Sequence, residues 1–505
     1  MKSIAIIGGG LAGLAAGVFG QKAGFKTTIY EKNSKIGGCC FSWKRGEYTI
    51  DNCIHWLVGT KRGSQQNRFW EEIGGMDDSI GVYERRAFYT SELDGQCLTL
   101  WRDPEETRWE MLELSPEDAD EINGFIDSVK ESQTIVSSGP DLMNIKKLIS
   151  GEGLDISAKN TVKMIFNYSR MNLKVWSERF AHPLIRKMIL DFSAQEYEAF
   201  WLILSYAMFT SGDADVPIGG SGQLTERIAS YYESLGGEIC YNHQAEEILM
   251  EKEAFLLGNG KASGIRFTDG TTCDSDYIIC TCEISRVFGK LLDEKHAPAG
   301  YDKLVNEEKT PIYSSFHAAF AVDGLMKEVD DLVYFPCDAL DVGGQVYDRI
   351  GVKNYRSYGD YIAPEGQTVI QTSFIQYPSD FRLWNGLRAN PVQYRLKKQY
   401  TVDAILDRLE KRFPQYKGKI HPIDSWTPAT YGRYLGSNSG MYMRYITTIL
   451  KTGSVIIPEP KDISNVFLAG HTLCYPGGTP IAALTGKLAI DLVENAEKAI
   501  VRILV

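Results

Sequence analysis

The chain opens with the pattern that most narrows its fold. Ser3-Ile-Ala-Ile-Ile7 is a continuous apolar run without polar alternation, the mark of a strand buried on both faces of a parallel sheet. It leads directly into Gly8-Gly-Gly-Leu-Ala-Gly13, a G-x-G-x-x-G formed by Gly8, Gly10 and Gly13. A helix is predicted from about Leu11 to Ala23, closed by Gly24, and a second strand, Lys26-Thr-Thr-Ile-Tyr30, ends in Glu31. Each part has a task in holding a dinucleotide. Gly8 permits the tight turn, Gly10 admits a pyrophosphate to the backbone, and Gly13 lets helix and strand pack closely. The N–H groups heading the helix at Leu11 and Ala12 carry partial positive charge toward the phosphates. Glu31 stands at the usual distance to accept from the adenosine ribose hydroxyls, and its charge disfavours a 2′-phosphate and hence NADP. A lone glycine fingerprint also makes plain turns; here strand, helix, second strand and acidic residue all follow in order.

Composition narrows the partners. The chain has 505 residues and a formal net charge of −11, and no long basic block, which argues against nucleic acid. Its 44% hydrophobic and 24% charged content is that of a soluble globular protein. Apolar strand residues begin at Ser3, so no signal or transit peptide is expected, and the cytoplasm is the expected location. The most lipid-like segment, Phe200 to Phe209, is half the roughly 20 residues of a membrane span. No transmembrane segment is expected, although contact with a membrane surface stays open. The ten cysteines are scattered, and the pairs Cys39–Cys40 and Cys280–Cys282 lack zinc spacing; packing of reduced thiols is the expectation, with no metal.

The fingerprint alone leaves FAD and NAD open. Just past the second strand comes Lys32-Asn-Ser-Lys-Ile-Gly37-Gly38, whose glycine pair offers bare backbone to a ribityl-pyrophosphate. With this pair the chain resembles the FAD-dependent amine oxidase and phytoene desaturase superfamily. The family often has Arg or Lys after the pair, where this chain has Cys39-Cys40. Tyr48-Thr-Ile-Asp51-Asn-Cys-Ile-His55 is similar to the family's Phe-Asp-x-Gly-x-His segment, which the resemblance places near the flavin and the substrate tunnel. His55 is thereby the candidate polar group near the chemistry; a hydrogen-bonded histidine in a buried loop is the alternative.

The middle of the chain reads as an interruption of the nucleotide domain. A hairpin is predicted over Tyr83 to Trp101 with Asp94-Gly95 as its turn. Ser115-Pro-Glu-Asp118 is expected to cap a helix, and a largely helical pattern follows to about Ala207. Within it, Ile145 to Ile149 and Lys163 to Phe166 mix lysine with apolar residues and could form a lid on a bilayer surface. A second glycine-rich turn, Pro217 to Gly222, opens a helix from about Gln223 to Leu235. A β-meander is expected from Glu238 through Ala245 to Glu251, ending in the strand Tyr277 to Cys282. The resemblance makes Ala245 a backbone contact to the adenine. Thr368 to Ser373 reads as a strand and Val402 to Arg412 as a helix. Asp424 to Tyr434 is similar to a Thr-Pro segment of the phytoene desaturase and carotenoid isomerase branch, and Tyr431, Tyr434, Tyr442 and Tyr445 suit a pocket for a long apolar ligand.

At the far end, Asn465-Val-Phe-Leu-Ala-Gly470 reads as a strand, followed by Tyr475-Pro-Gly477-Gly478-Thr479-Pro480 and a helix with Ile481, Leu484, Leu488 and Leu492 on one face. Thr479 is the expected cap and Pro480 the first helical residue. This resembles the superfamily's flavin-contacting C-terminal motif, which implies cofactor contacts at Gly470, His471, Gly478, Pro480 and Ile481, with Lys32 beside the first site. His471 stands where many relatives carry Asp or Glu.

The expected fold is α/β: a Rossmann-like FAD-binding domain, a parallel sheet with a β-meander, discontinuous over 1–75, 216–292 and 456–505. A mixed α+β substrate domain (76–110 and 293–455) and a helical lid (111–215) interrupt it. The resemblance, which extends to the retinol saturase-like branch, implies an FAD-dependent oxidoreductase. Its implied reaction works on C–C or C=C bonds of a polyene, isoprenoid or other lipid-like molecule by hydride transfer at flavin N5. The alternatives are a reduced-FAD-dependent cis–trans isomerase, an amine oxidase, or a module holding FAD structurally.

Overall fold

The structure is a computed structural model that describes residues 1–137, 167–251, 260–306, 312–444, 458–473 and 477–504. The predicted lid segments at 145–149 and 163–166, with Tyr445 and Tyr475, lie outside the described residues.

The chain is α/β. Its first strand, Ser3–Ile7, lies at the centre of a five-stranded sheet ordered Glu238–Tyr241, Lys26–Glu31, Ser3–Ile7, Tyr277–Cys280, Val466–Leu468, with every pair parallel. A strand flanked on both edges and covered on both faces has no place for a polar side chain, which is why Ile4 to Ile7 are all apolar and buried. Helix Leu11–Lys22 covers one face, and the final helix, Gly478–Leu504, packs across it. The contact is so close that a Cβ on Gly486 would overlap the Ala12 carbonyl oxygen. The expected apolar face of the last helix is the one used: Ile481, Leu484 and Leu488 are buried and Leu492 partly so.

Two corrections concern this region. Glu238–Tyr241 does not belong to the meander; it extends the parallel sheet beside Lys26–Glu31, because its register places Ile239 opposite Ile29. The meander is three strands, Ala245–Met250, Ala262–Phe267 and Thr272–Asp274, and Tyr277–Cys280 returns to the central sheet.

The second large sheet has eight strands and carries the predicted hairpin, Ala87–Leu93 with Gln96–Trp101, turned by Asp94 and Gly95 at φ 51° and 78°. It also holds Ile312–Val322, Leu332–Val342, Gln345–Asn354, Thr368–Gln376 and Ile420–Trp426. The helix predicted from Val402 begins at Pro391, capped by Asn390, whose side chain accepts from the backbone of Val392 and Gln393. Its first two turns have little apolar burial and so no periodic signal. Helices Pro104–Leu114, Ala119–Ser137, Pro183–Asp191 and Ala199–Thr210 build a separate aromatic core with the hairpin. Ser115 makes no backbone cap there; its hydroxyl bonds Asp118 instead, and a short 3₁₀ turn leads into the helix.

Candidate functional site

A cavity of about 1370 Å³ reaches from the glycine turns to the helical segment. Single-ligand pockets rarely exceed about 1,000 Å³, so there is room for a dinucleotide and a second molecule. Every cofactor candidate except Gly13 lines it: Gly8, Gly10, Leu11, Ala12, Glu31, Lys32, Gly37, Gly38, Ala245, Gly470, His471, Gly478, Pro480 and Ile481, together with His55. Gly13 lies behind the wall, where a Cβ would overlap the Gly8 carbonyl oxygen.

The two glycine segments face each other directly. Gly10 and Gly37 form a parallel bridge, the Gly37 N–H donates to the Gly9 carbonyl at 2.8 Å, and a Cβ on Gly38 would stand 3.2 Å from the Gly10 Cα. Gly37 and Gly38 take φ of 117° and 61°, where other residues are strained. Helix Leu11–Lys22 starts from Gly10 with no side-chain cap and no acidic residue in its first turn, leaving its leading N–H groups for an anion. Glu31 is more committed than its position suggested. Oε2 accepts from the Gly9 N–H at 2.8 Å, and Oε1 accepts from the backbone and side chain of Asn33, also at 2.8 Å. Lys32 donates to the Arg433 carbonyl at 2.7 Å, and the Ala245 carbonyl accepts from Arg286 at 3.2 Å. Elsewhere on the cavity wall the last helix starts two residues earlier than its Thr-Pro pair implied. Its range, Gly478–Leu504, puts Thr479 and Pro480 inside the first turn, after Gly477 and Gly478 at φ 83° and 84°. His471 donates from Nε2 to the Tyr442 carbonyl at 2.8 Å.

The sequence profile of the flavin containing amine oxidoreductases matches residues 11–493. The chain belongs to that family. It is an FAD-dependent oxidoreductase. Among its relatives, the 4,4′-diaponeurosporene oxygenase of Staphylococcus aureus is 21% identical across 98% of this chain and 99% of its own. The chloroplastic prolycopene isomerase of Daucus carota is 29% identical over 292 residues, 56% of this chain and 45% of the isomerase, so the chain matches less than half of that relative's length. In fold it is similar to an oxidoreductase from Methanosarcina mazei (17% identical, TM-score 0.60, covering 97% of this chain and 100% of that one). It is also similar to cyclohexylamine oxidase from Brevibacterium oxydans (15% identical, TM-score 0.57, 99% of both chains).

The residues fit the flavoprotein's cofactor. The Gly10–Gly38 wall is bare backbone, and the leading N–H groups of one helix and the start of another open on the same cavity. His55 lies in the loop after strand Tyr48–Asp51, and its Nδ1 is 3.4 Å from the Tyr355 hydroxyl. Burial, with the Lys353 and Arg85 cations against it and Asp331 opposing them, lowers its pKa to about 3.

A second histidine went unread in the sequence. His317 is masked inside the apolar strand Ile312–Val322, yet it lines the same cavity. Its ring stacks on Trp426 at 4.7 Å and an interplanar angle of 4°, and Nε2 is 2.6 Å from the Ser315 hydroxyl, which in turn contacts the Tyr442 hydroxyl. Burial, then His55, lowers its pKa to about 3. Both imidazoles are therefore neutral at neutral pH. Tyr431 completes the cluster, donating to the Asn52 side chain at 2.8 Å and accepting from the Trp426 indole at 2.9 Å.

Proposed function

We propose that this flavoprotein oxidises or reduces C–C/C=C bonds of an apolar polyene or isoprenoid. The observation that carries the reading is the aromatic and aliphatic part of the cavity lining, which includes Trp56, Phe192, Tyr197, Phe200, Trp201 and Leu204. Such a surface binds by area and keeps water away from a long apolar ligand. FAD supplies a two-electron couple at flavin N5. In a desaturation a hydride leaves one substrate carbon, a proton leaves its neighbour, and a C=C bond forms between them; saturation is the reverse. The chain holds the substrate in place, and the neutral His55 stands as the group proposed to take the proton in a desaturation. The start of the last helix, which lines the same cavity, would favour negative charge developing on a flavin ring bound against it. We assign cofactor contacts to the glycine turns, Glu31, Lys32, Ala245 and the 470–481 segment, and treat uptake of substrate from a membrane surface as part of the same proposal. Among the described residues no helix is long and apolar enough to cross a membrane.

Anaerobic mixing of the purified yellow protein with phytoene, retinol or an unsaturated fatty acid, or of its reduced form with a polyene, tests the reading. Bleaching or recovery of the flavin band with a matching change in the number of substrate double bonds is expected. No flavin response to any of them would defeat it. A second reading, cis–trans isomerisation without net redox, draws on the identity to prolycopene isomerase. It requires that activity depend on prior reduction while consuming no reductant.

A further inference from the structure

One part of the cavity lining, built from residues near Ser64 and Asp213, is not apolar. Strand Leu57–Val58 pairs antiparallel with Ala214–Asp215, so that Asp213 arrives beside the turn leading to helix Gln65–Glu72. Asp213 Oδ1 accepts from the Lys61 N–H at 3.0 Å and the Ser64 hydroxyl at 3.1 Å. Ser64 also accepts from the Asn67 N–H at 3.1 Å and caps the helix. Next to this cap stands Gln66, 3% exposed and lining the cavity. Neither its amide nitrogen nor its amide oxygen has a hydrogen-bond partner among the described residues.

A buried side-chain amide without partners is costly, and the protein had a simple remedy, since Leu or Met would fill the same space. The same cavity is lined by Trp56, Val58, Phe200, Trp201, Leu204 and Met208, with Ser205 among its polar members, and none of them bonds the Gln66 amide. The partner is then best supplied by what enters the cavity. The amide offers one acceptor and donors together, which suits a hydroxyl, able to donate and accept at once. The neighbouring Asp213 disfavours an anionic terminus such as a carboxylate, because two close carboxylates repel.

We propose that Gln66, with Asp213 beside it, forms a polar subsite that receives a terminal hydroxyl of an otherwise apolar chain. The substrate class becomes a polyene or isoprenoid alcohol rather than a plain hydrocarbon. The inference rests on the polyene reading above and adds an end to it.

The test uses the FAD-loaded full chain and three probes: geranylgeraniol, the hydrocarbon in which its CH₂OH is CH₃, and the corresponding carboxylic acid. Binding is followed by quenching of tryptophan fluorescence and by thermal shift, for wild type and for Gln66→Leu. The ratio of hydrocarbon to alcohol dissociation constants should fall about tenfold in Gln66→Leu, the worth of one good hydrogen bond. The acid should bind more weakly than the alcohol. The ligand-free variant should melt at or above the wild-type temperature, since an unmet amide has been removed; a merely structural glutamine would lower it. An unchanged ratio, or a wild type that binds alcohol and hydrocarbon with the same preference as the variant, overturns the subsite while leaving the polyene reading standing. If none of the three probes binds wild type, the polyene reading fails and takes the subsite with it.

Discussion

Asp51 grips Ser221 twice. One carboxylate oxygen accepts the Ser221 N–H and the other its hydroxyl, both at 2.6 Å, while Cys53 and Ile54 donate their backbone N–H groups to the same side chain at 3.1 and 3.2 Å. The second glycine-rich turn is thereby fastened to the loop that carries His55, across a separation of 170 residues. Asp51→Ala should leave several buried donors unmatched and cost about 2–4 kcal/mol of stability. It should also release flavin during purification. Urea denaturation and the flavin-to-protein ratio measure both effects, and a variant with wild-type values of each would show that the clamp is not needed.

The glycines of the first turn should separate fold from ligand. Gly10 has φ of −76°, which any residue adopts, and a Cβ there would meet its nearest protein atom at 3.8 Å. Gly10→Ala should therefore fold with nearly wild-type apoprotein stability and yet bind FAD far more weakly, because its methyl group occupies the cofactor's side of the wall. Gly13→Ala should do the opposite, destabilising the apoprotein by roughly 1–3 kcal/mol through overlap with the Gly8 carbonyl. Thermal melts of the flavin-free proteins and flavin titrations read the contrast.

The two histidines set an acid slope. Both have folded-state pKa values of about 3, below the ordinary 6.5, so between those limits the unfolded chain takes up protons that the folded chain refuses. Their contribution is fully present above pH 6.5 and is lost as pH falls toward 3, by at most about 1.4 kcal/mol per pH unit for each histidine. His317→Phe, which keeps a ring against Trp426, should flatten the slope between pH 6.5 and 4. Denaturant midpoints at a series of pH values check it, and identical slopes would show that His317 is already charged when folded.

Arg349 and Asp191 join the second sheet to the helical segment. Nε and Nη2 donate to Asp191 Oδ1 and Oδ2 at 2.7 and 2.6 Å, and the two side chains are 9% and 6% exposed. Arg349→Met leaves a buried carboxylate with Ser91 as its hydrogen-bond donor and the Lys187 charge farther off, which should cost about 3–5 kcal/mol. Adding Asp191→Leu should recover much of the loss, since no charge then stays buried. A double variant as unstable as the single one would mean that the pair is not coupled.

How far the sequence could be read depended on whether a residue's task is local. The turn at Asp94-Gly95 was legible because φ 51° and 78° at adjacent positions demand those residues wherever the hairpin goes. Glu238–Tyr241 was misplaced because its own residues look alike for a meander or an edge; only its pairing with Lys26–Glu31 distinguishes them. His317 gave no signal, since a single polar residue in an apolar strand reads as an ordinary buried group until the cavity beside it is seen.

The sequence alone determined the glycine turns and helix starts at residues 8–13, 37–38 and 477–480, because short-range constraints of turn and helix start are written in adjacent residues. Only the tertiary structure decided which residues share the cavity with those turns. His55 with His317, Asp51 with Ser221 and Gln66 with Asp213 come from segments far apart, and no local pattern encodes which strand will lie beside which. Burial, and the neutral charge of the histidines that follows from it, belong to that assembly and not to any one segment.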